Sequence, residues 1–471
     1  MTGSASKSVP KRPTNSPDYS REFESLQSTF RSGRTRDLDW RRTQLHALEK
    51  MMVDNEAELI SALAADLGKP AQEAWTAEIS YVASDAAYCR KRLGKWTRNR
   101  RVSTPLTGWP ARSWVQPEPL GTVLIIGAWN YPLQLTLAGL AAAIAAGNCA
   151  VIKPSELAPA TSAVIAKRLP EYLDAACVRV IEGAVEETSA LLELPFDHIL
   201  YTGGGNVGRI VMRAAAKNLT PVTLELGGKS PCIILPNANL ETTARRLAWG
   251  KFMNAGQTCI APDYVLTDRD TEARLLPILE NVLRDMFGAD PAQSDSYGRI
   301  VNGRHFDRLS AFLNDGEIVI GGESDAAERY IAPTVLSGVS ADSGIMQEEI
   351  FGPVLPILNV PDIDSAIEFV RARDKPLAAY LFGNDAAQEQ RFLEQVSAGN
   401  ICINDTMMFM VVEELPFGGV GPSGMGAYSG ESGFRTFSHM KSVMKRGWWP
   451  DIALRYAPYT AKKWNWLRRL R

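Results

Sequence analysis

Cys259 lies in the run Met253-Asn-Ala-Gly-Gln-Thr-Cys-Ile-Ala-Pro262, and Glu225 lies 34 residues before it in Leu224-Glu-Leu-Gly-Gly-Lys-Ser-Pro231. One is a thiol and the other a carboxylate, and both sit in glycine-containing, otherwise apolar settings. A thiol attacks a carbonyl carbon, and a carboxylate activates the water that later releases the acyl group. Together they point to covalent chemistry on an aldehyde or an ester.

Each residue also has a plainer reading. Cysteines without a partner are commonly small buried hydrophobes, and the other five (Cys89, Cys149, Cys177, Cys232 and Cys402) are read that way. Cys259 differs because Gly256 and Thr258 stand beside it. Small residues let a backbone approach a ligand, and the Cys259 N–H can then face a developing oxyanion. Glu225 is either a buried partner or cap, or a base whose pKa burial raises. Asn130, in Ala128-Trp-Asn-Tyr-Pro132, is either a turn residue or an amide donor to an oxyanion. Tyr201-Thr-Gly-Gly-Gly-Asn-Val-Gly208 is a loop that can offer backbone N–H groups to a pyrophosphate, although it lacks the GxGxxG spacing. Lys153-Pro-Ser-Glu156 is a surface turn or a ribose-binding pair, and an acidic group in that role disfavours a 2′-phosphate. Gly228-Lys-Ser230 has the ending of a P-loop, but Thr223 stands where that motif needs Gly, so a kinase or NTPase reading is set aside.

These residues need a frame. Beyond Gly121 the sequence alternates short apolar strands with helices: strands are predicted over Thr122–Ile126, Cys149–Ile152, Val178–Ile181, Ile199–Tyr201 and Val222–Leu226. That alternation predicts an α/β fold with a doubly wound parallel sheet and a nucleotide-binding domain. A second α/β region is predicted from Ile233, through Ile318–Ile320 and Pro353–Ile357, to Ala378–Phe382. Before the sheet, Leu38–Leu67 has helical periodicity ending at Gly68, and Arg101–Glu118 reads as an extended arm.

The 471 residues suggest two or more domains, and 45% hydrophobic with 22% charged residues suits a soluble globular protein. A net charge of −2 gives no general attraction to nucleic acid. Six cysteines without CxxC spacing suit a reducing, cytoplasmic setting. Four scattered histidines leave no expectation of a metal site. Residues 1–18 read as a disordered leader. The last 31 residues, Lys441–Arg471, differ in charge: nine Lys and Arg accompany one Asp, Asp451, and four of the eleven Trp (Trp448, Trp449, Trp464, Trp466) are there. Cations interleaved with Trp suit an anionic membrane surface. The competing reading is a tail packed on a partner subunit or over the substrate entrance.

Taken together, seven segments resemble the aldehyde dehydrogenase superfamily. They are Trp129-Asn-Tyr-Pro132, Lys153-Pro-Ser-Glu156, Thr202-Gly203 with Gly208, Leu224-Glu-Leu-Gly-Gly228, Gly256-Gln-Thr-Cys259, Glu349-Ile-Phe-Gly-Pro353 and Pro416-Phe-Gly-Gly419. They occur in the family's order across about Tyr19–Val443. Thr220-Pro-Val-Thr-Leu-Glu225, Ala261-Pro-Asp-Tyr264, Lys375-Pro-Leu377, Ser423-Gly-Met-Gly-Ala-Tyr428 and Phe437-Ser-His439 resemble the class 3, fatty and aromatic aldehyde, branch.

The resemblance implies Cys259 as nucleophile, Asn130 with the Cys259 N–H as oxyanion donors, and Glu225 as the base for water. It implies Lys153 and Glu156 at the adenosine ribose, Glu349 at the nicotinamide ribose, and Trp129, Gly203, Gly208, Leu226 and Phe351 around the cofactor. Tyr131, Thr258, Met408 and Phe409 are expected at the substrate, with Met407-Met-Phe-Met410 suggesting an apolar tunnel for medium or long-chain or aromatic aldehydes. One departure is that Gly204 and Gly205 stand where the family usually has a small polar residue and Thr, which removes a hydroxyl donor to the pyrophosphate. NAD is expected to be preferred, with NADP possible. A CoA-acylating enzyme is the alternative, and a non-catalytic nucleotide-binding protein a remoter one. The implied division is 19–100 with 119–226 for NAD(P) binding, 227–412 for catalysis, 101–118 with 413–440 for oligomerisation as a homodimer, and 441–471 as the tail.

Overall fold

In a computed structural model of the chain, residues 17–469 are described. The leader expected over residues 1–18 falls, except for its last two positions, outside them.

The first sheet has six strands in the order Gly424–Met425, Val222–Glu225, His198–Thr202, Thr122–Ile126, Cys149–Lys153, Val178–Val180. All neighbours are parallel except Gly424–Met425, which runs antiparallel to Val222–Glu225. The chain winds outward from Thr122–Ile126 in one direction, then returns to His198–Thr202 and winds in the other. The winding therefore reverses between these two strands, where ligands bind beyond the carboxyl ends in doubly wound sheets. Gly127–Asn130 and Gly203–Gly205 follow those two ends.

Helix Gln134–Ala146 crosses over this sheet with every residue buried. Its apolar residues surround the whole circumference, which a helix tolerates only when covered on all sides. Gly139 lets it sit close: a Cβ there would lie 2.5 Å from a methyl of Leu200.

The second sheet has seven strands in the order Glu317–Ile320, Thr334–Ser337, Val354–Asn359, Tyr264–Thr267, Pro231–Ile234, Ala378–Phe382, Asn400–Ile403. Only the first pair is antiparallel. A third, antiparallel sheet joins Arg100–Val102, Ala111–Pro119 and Ser438–Arg446, with Ser438 opposite Pro119 and Arg446 opposite Ala111. That last strand runs through residue 441, where the tail was expected to begin.

The predicted Leu38–Leu67 helix is two helices, Leu38–Asp54 and Glu56–Leu67. Asn55 divides them, and its side-chain amide donates to the Met51 carbonyl at 2.9 Å. Asn competes for backbone groups in this way and so favours breaks. Gly68, at φ +58°, ends the second helix as expected. Further on, Trp75–Ile79 forms a single π-helical turn between Ala71–Ala74 and Ser80–Trp96. Such turns are rare and often occur at functional sites.

Candidate active site

The strand Thr122–Ile126 delivers the first half of the site. After Gly127, Asn130 is buried, and its carbonyl accepts from Lys69 Nζ at 3.0 Å and Asn254 Nδ2 at 2.8 Å. Its own Nδ2 donates to the Gln257 carbonyl at 3.1 Å. One of the two amide hydrogens is thereby used, and the other is left for a ligand.

The loop before Cys259 delivers the second half. Asn254, Ala255 and Gly256 are consecutive left-handed residues, with φ of +53°, +50° and +74°. Such conformations cost about 1–3 kcal/mol at non-glycine positions and persist only where surroundings impose them. Here the Gln257 amide donates to the carbonyls of Asn254 (3.0 Å) and Arg299 (2.9 Å) and accepts from the Val301 N–H (2.9 Å). The Asn254 N–H donates to Glu73 Oε2 at 2.9 Å. Only glycine fits at 256, because a Cβ would lie 2.2 Å from the Gly352 carbonyl oxygen.

Cys259 is partly exposed. Burial of its sulfur, then the charges of Glu349 and Glu225, push the thiol well above its ordinary pKa. Glu225 ends the strand Val222–Glu225 and is 2% exposed. Neither of its carboxylate oxygens has a hydrogen-bond partner among the described residues. Burial alone pushes its pKa well above the carboxylate range. A buried carboxyl with bare oxygens is costly to keep unless a substrate or water uses it. Tyr131 and Thr258 meet across the site, with hydroxyls 2.8 Å apart.

Of the residues expected at the cofactor, Trp129 and Gly203 follow the two strands between which the winding reverses, and Lys153 ends the neighbouring strand Cys149–Lys153. Lys153 is buried, and its Nζ meets Glu156 Oε2 at 3.0 Å, while the Glu156 side chain is 43% exposed. Helix Gly205–Ala216 begins directly after Gly204, and a Cβ on Gly204 would meet nothing within 4 Å. Free N–H groups at a helix start with open space before them suit a pyrophosphate. Gly208 lets the helix sit close to Leu226, since a Cβ there would lie 2.9 Å from one of its methyls, which would have to shift. A Cβ on Gly203, at φ +156°, would lie 2.3 Å from the Tyr201 hydroxyl.

Glu349 packs against Gly227 so closely that a Cβ there would lie 1.9 Å from Glu349 Oε2. Burial, then Asp263, push Glu349 up to about 8. Its backbone is pinned by Arg308, which donates to the carbonyls of Glu349 (3.2 Å) and Ile350 (2.7 Å). Phe351, at φ +52°, meets Trp129 edge to face at 5.3 Å. The donor set therefore fits a dinucleotide: an N–H cradle, ribose-sized polar pairs and an aromatic wall. Met408 is 40% exposed, whereas Phe409 is buried in a stack between Tyr380 and Phe417.

A model of the aldehyde dehydrogenase family matches residues 5–443. The chain belongs to that family. It is an oxidoreductase that converts aldehydes to carboxylic acids with NAD(P). Aldehyde dehydrogenase family 3 member A2 of Rattus norvegicus is 46% identical over 448 residues, covering 95% of this chain and 93% of the relative. The 4,4′-diaponeurosporen-aldehyde dehydrogenase of Staphylococcus aureus is 46% identical over 443 residues, covering 94% of this chain and 96% of the relative. A solved structure, the substrate-bound state of Staphylococcus aureus AldH, superposes with a TM-score of 0.94 at 45% identity, covering 96% of this chain and 99% of that one. An indole-3-acetaldehyde dehydrogenase solved with NAD+ superposes at a TM-score of 0.82 and 27% identity, covering 91% of this chain and 88% of that one.

Several residues of this aldehyde dehydrogenase escape sequence reasoning. Lys69 reaches the site from the turn after Gly68, Glu73 from the short helix Ala71–Ala74 and Glu78 from the π-helical turn. Lys229, set aside with the P-loop reading, pairs with Asp263 and donates to the carbonyls of Ile345 (2.8 Å) and Glu348 (2.9 Å). Asp263 in turn accepts from the Ile350 N–H at 3.0 Å. This pair fixes the segment that carries Glu349. Its only sequence signal was a Lys beside Gly-Gly.

Proposed function

We propose that Cys259, Asn130 and Glu225 carry the reaction on an apolar medium or long-chain or aromatic aldehyde, with NAD preferred over NADP. The observation that carries the reading is a partly exposed thiol next to a buried carboxylate whose two oxygens are bare. The Cys259 sulfur, once deprotonated, adds to the aldehyde carbon and forms a C–S bond. The free N–H of the Asn130 amide and the Cys259 backbone N–H hold the resulting oxyanion. Bound NAD would supply the hydride acceptor for that carbon, and Cys259 would then hold the acyl group as a thioester. Glu225 takes a proton from water as the water oxygen bonds to the thioester carbon. The C–S bond then breaks, which frees the acid and the thiolate. A water-activating carboxylate in this position supports hydrolysis over transfer to CoA.

Lys153 and Glu156 support binding of the adenosine ribose, and Glu156 opposes a 2′-phosphate by charge. Glu349, Leu226, Phe351 and Trp129 support placement of the nicotinamide half. Tyr131, Thr258, Met408 and Phe409 belong to the substrate side, and the adaptable Met side chains favour varied apolar chains. Segments 101–118 and 413–440 are the surface through which a homodimer forms, and the pairing of Ser438–Arg446 with Ala111–Pro119, which brings their ends together, supports this. The tail contacts an anionic membrane surface. In support, Trp448 is 99% exposed, and Trp464, Trp466 and Leu467 are exposed on the helix Ala461–Arg469 beside its Lys and Arg residues. No described helix is long and apolar enough to cross a membrane.

The test is NADH and NADPH formation over short, aromatic and long-chain aldehydes, with Cys259→Ala in parallel. Turnover that rises with chain length and vanishes in Cys259→Ala supports the reading. Turnover that survives Cys259→Ala overturns the mechanism, and turnover only with added CoA overturns the hydrolytic route.

A further inference from the structure

Lys69 and Glu78 form an ion pair with no exposed side-chain surface. A buried pair of this kind is weak evidence for stability, since apolar residues of similar size often do as well. Its partners show what else it does. Lys69 Nζ donates to the Asn130 carbonyl at 3.0 Å and lies 4.0 Å from the centre of the Tyr131 ring. Glu78 sits in the π-helical turn Trp75–Ile79, and its second oxygen accepts from the N–H of Leu133 at 2.8 Å and of Gln134 at 3.4 Å. These N–H groups open the buried helix Gln134–Ala146. The pair therefore grips Asn130 and its loop at both ends: at its carbonyl and at the helix start just beyond it.

The same stretch reaches the other loop. Glu73, one turn before Glu78, accepts from the Asn254 N–H at 2.9 Å. Asn254 Nδ2 completes the link by donating to the Asn130 carbonyl (2.8 Å) and the Gln257 carbonyl (3.2 Å). The Asn130 carbonyl thus has two donors, one from each side of the site. With that peptide fixed and one amide hydrogen committed to Gln257, the direction of the remaining amide hydrogen is set.

We infer that the buried Lys69–Glu78 pair is a positioning device for the Asn130 side chain, holding its free N–H at the place where negative charge develops on the substrate. This rests on the proposed role of Asn130. Oxyanion donors act through placement, and small displacements weaken them steeply. The pair keeps a costly pair of buried charges in exchange for that aim.

The test replaces both charges together, so that no uncompensated ion remains. Lys69→Met with Glu78→Gln removes the donor to Asn130 yet keeps an acceptor for the Leu133 N–H. Kinetics, thermal midpoint, NAD affinity and the rate of Cys259 alkylation by iodoacetamide are measured in this variant, with and without Asn130→Ala. The expected result is a folded enzyme with unchanged NAD affinity and alkylation rate. Its kcat/KM falls by roughly 100-fold, the lower end of the loss on removing one oxyanion donor. Asn130→Ala then adds little further loss, because the amide is already misaimed. A folded double variant with wild-type kcat/KM overturns the inference, as does one in which Asn130→Ala costs as much as in the parent. An Asn130→Ala parent with full activity instead overturns the oxyanion role itself. If the double variant does not fold, Lys69→Met alone removes the donor to Asn130 while Glu78, free to hold a proton once its ion partner is gone, keeps the oxygen that accepts from the Leu133 N–H; full additivity with Asn130→Ala there overturns the inference.

Discussion

The Tyr131 hydroxyl lies 2.8 Å from that of Thr258, so their side chains add a hydrogen bond to those that already join the loop of the oxyanion donor to the loop of the nucleophile. Both residues are buried, and they are 127 positions apart. Tyr131→Phe leaves the Thr258 hydroxyl without this partner, at a cost of about 1–3 kcal/mol. Thermal melting is expected to show that loss, with kcat/KM reduced and NAD affinity unchanged. An unaltered melting point and kcat/KM would show that the link is dispensable.

Glu225 is expected to act after hydride transfer. Glu225→Gln keeps the buried shape but cannot accept the proton from water. Stopped-flow absorbance is expected to retain a burst of one NADH per site. Steady-state turnover then falls by about 10²–10⁴-fold, the usual contribution of a general base. Loss of the burst itself would place Glu225 in the earlier step.

The wild-type pH profile follows from the same carboxyl. Burial raises its pKa well above the ordinary value, so the basic form grows only as pH rises. Acyl release is therefore expected to accelerate as pH rises above the ordinary carboxylate range, and Glu225→Gln to flatten that rise. The steady-state rate over this range, at saturating aldehyde, decides it.

Cofactor choice is expected to respond to Glu156. Its carboxylate is partly exposed and 3.0 Å from Lys153 Nζ. Glu156→Ala removes a charge that opposes a 2′-phosphate and frees the Lys153 ammonium to meet it. The ratio of kcat/KM for NADP to that for NAD should rise by about 10-fold, equivalent to ~1.4 kcal/mol of relative binding. No change in that ratio would remove Glu156 from cofactor discrimination.

Asp85 makes a prediction about stability. Burial, then Glu413, raise its carboxyl from 3.8 to about 7. An acid raised in the fold holds its proton more firmly there than in the unfolded chain. Between pH 4 and 7 the folded state binds more protons, so stability falls as pH increases through that window. Asp85→Asn cannot ionise and escapes this loss. Its melting point relative to wild type should be higher at pH 8 than at pH 5, and an equal difference at both would show that Asp85 does not titrate this way.

Much of the fold was legible because the parallel strands are short continuous apolar runs, each followed by a glycine or polar turn. The Cys259, Glu225 and Asn130 segments were legible because each puts a reactive group among small residues. The supports were not. Lys69 looks like an ordinary turn charge after Gly68 and Glu78 like a helix-surface charge, and their target Asn130 is 61 residues beyond Lys69. The strand Ser438–Arg446 is rich in Lys and Arg and finds its partner more than 300 residues earlier, so neither composition nor neighbours mark it. The division at Asn55 was hidden because both halves share one apolar periodicity.

The helix Gln134–Ala146 has a consequence for how the protein is made. Its cover comes late in the chain: Leu200 lies under Gly139, Gly433 lies against Ala142, and Asn148 just past its end donates to the Phe437 carbonyl at 2.9 Å. Synthesis at about 5–20 residues per second puts roughly 15–60 s between emergence of this helix and of its final cover. For that interval the growing chain displays a thirteen-residue helical segment that is apolar but for Gln134 and Thr136. The ribosome-bound intermediate is therefore a natural client for a chaperone that binds exposed apolar segments, and its yield should depend on translation speed downstream of residue 146.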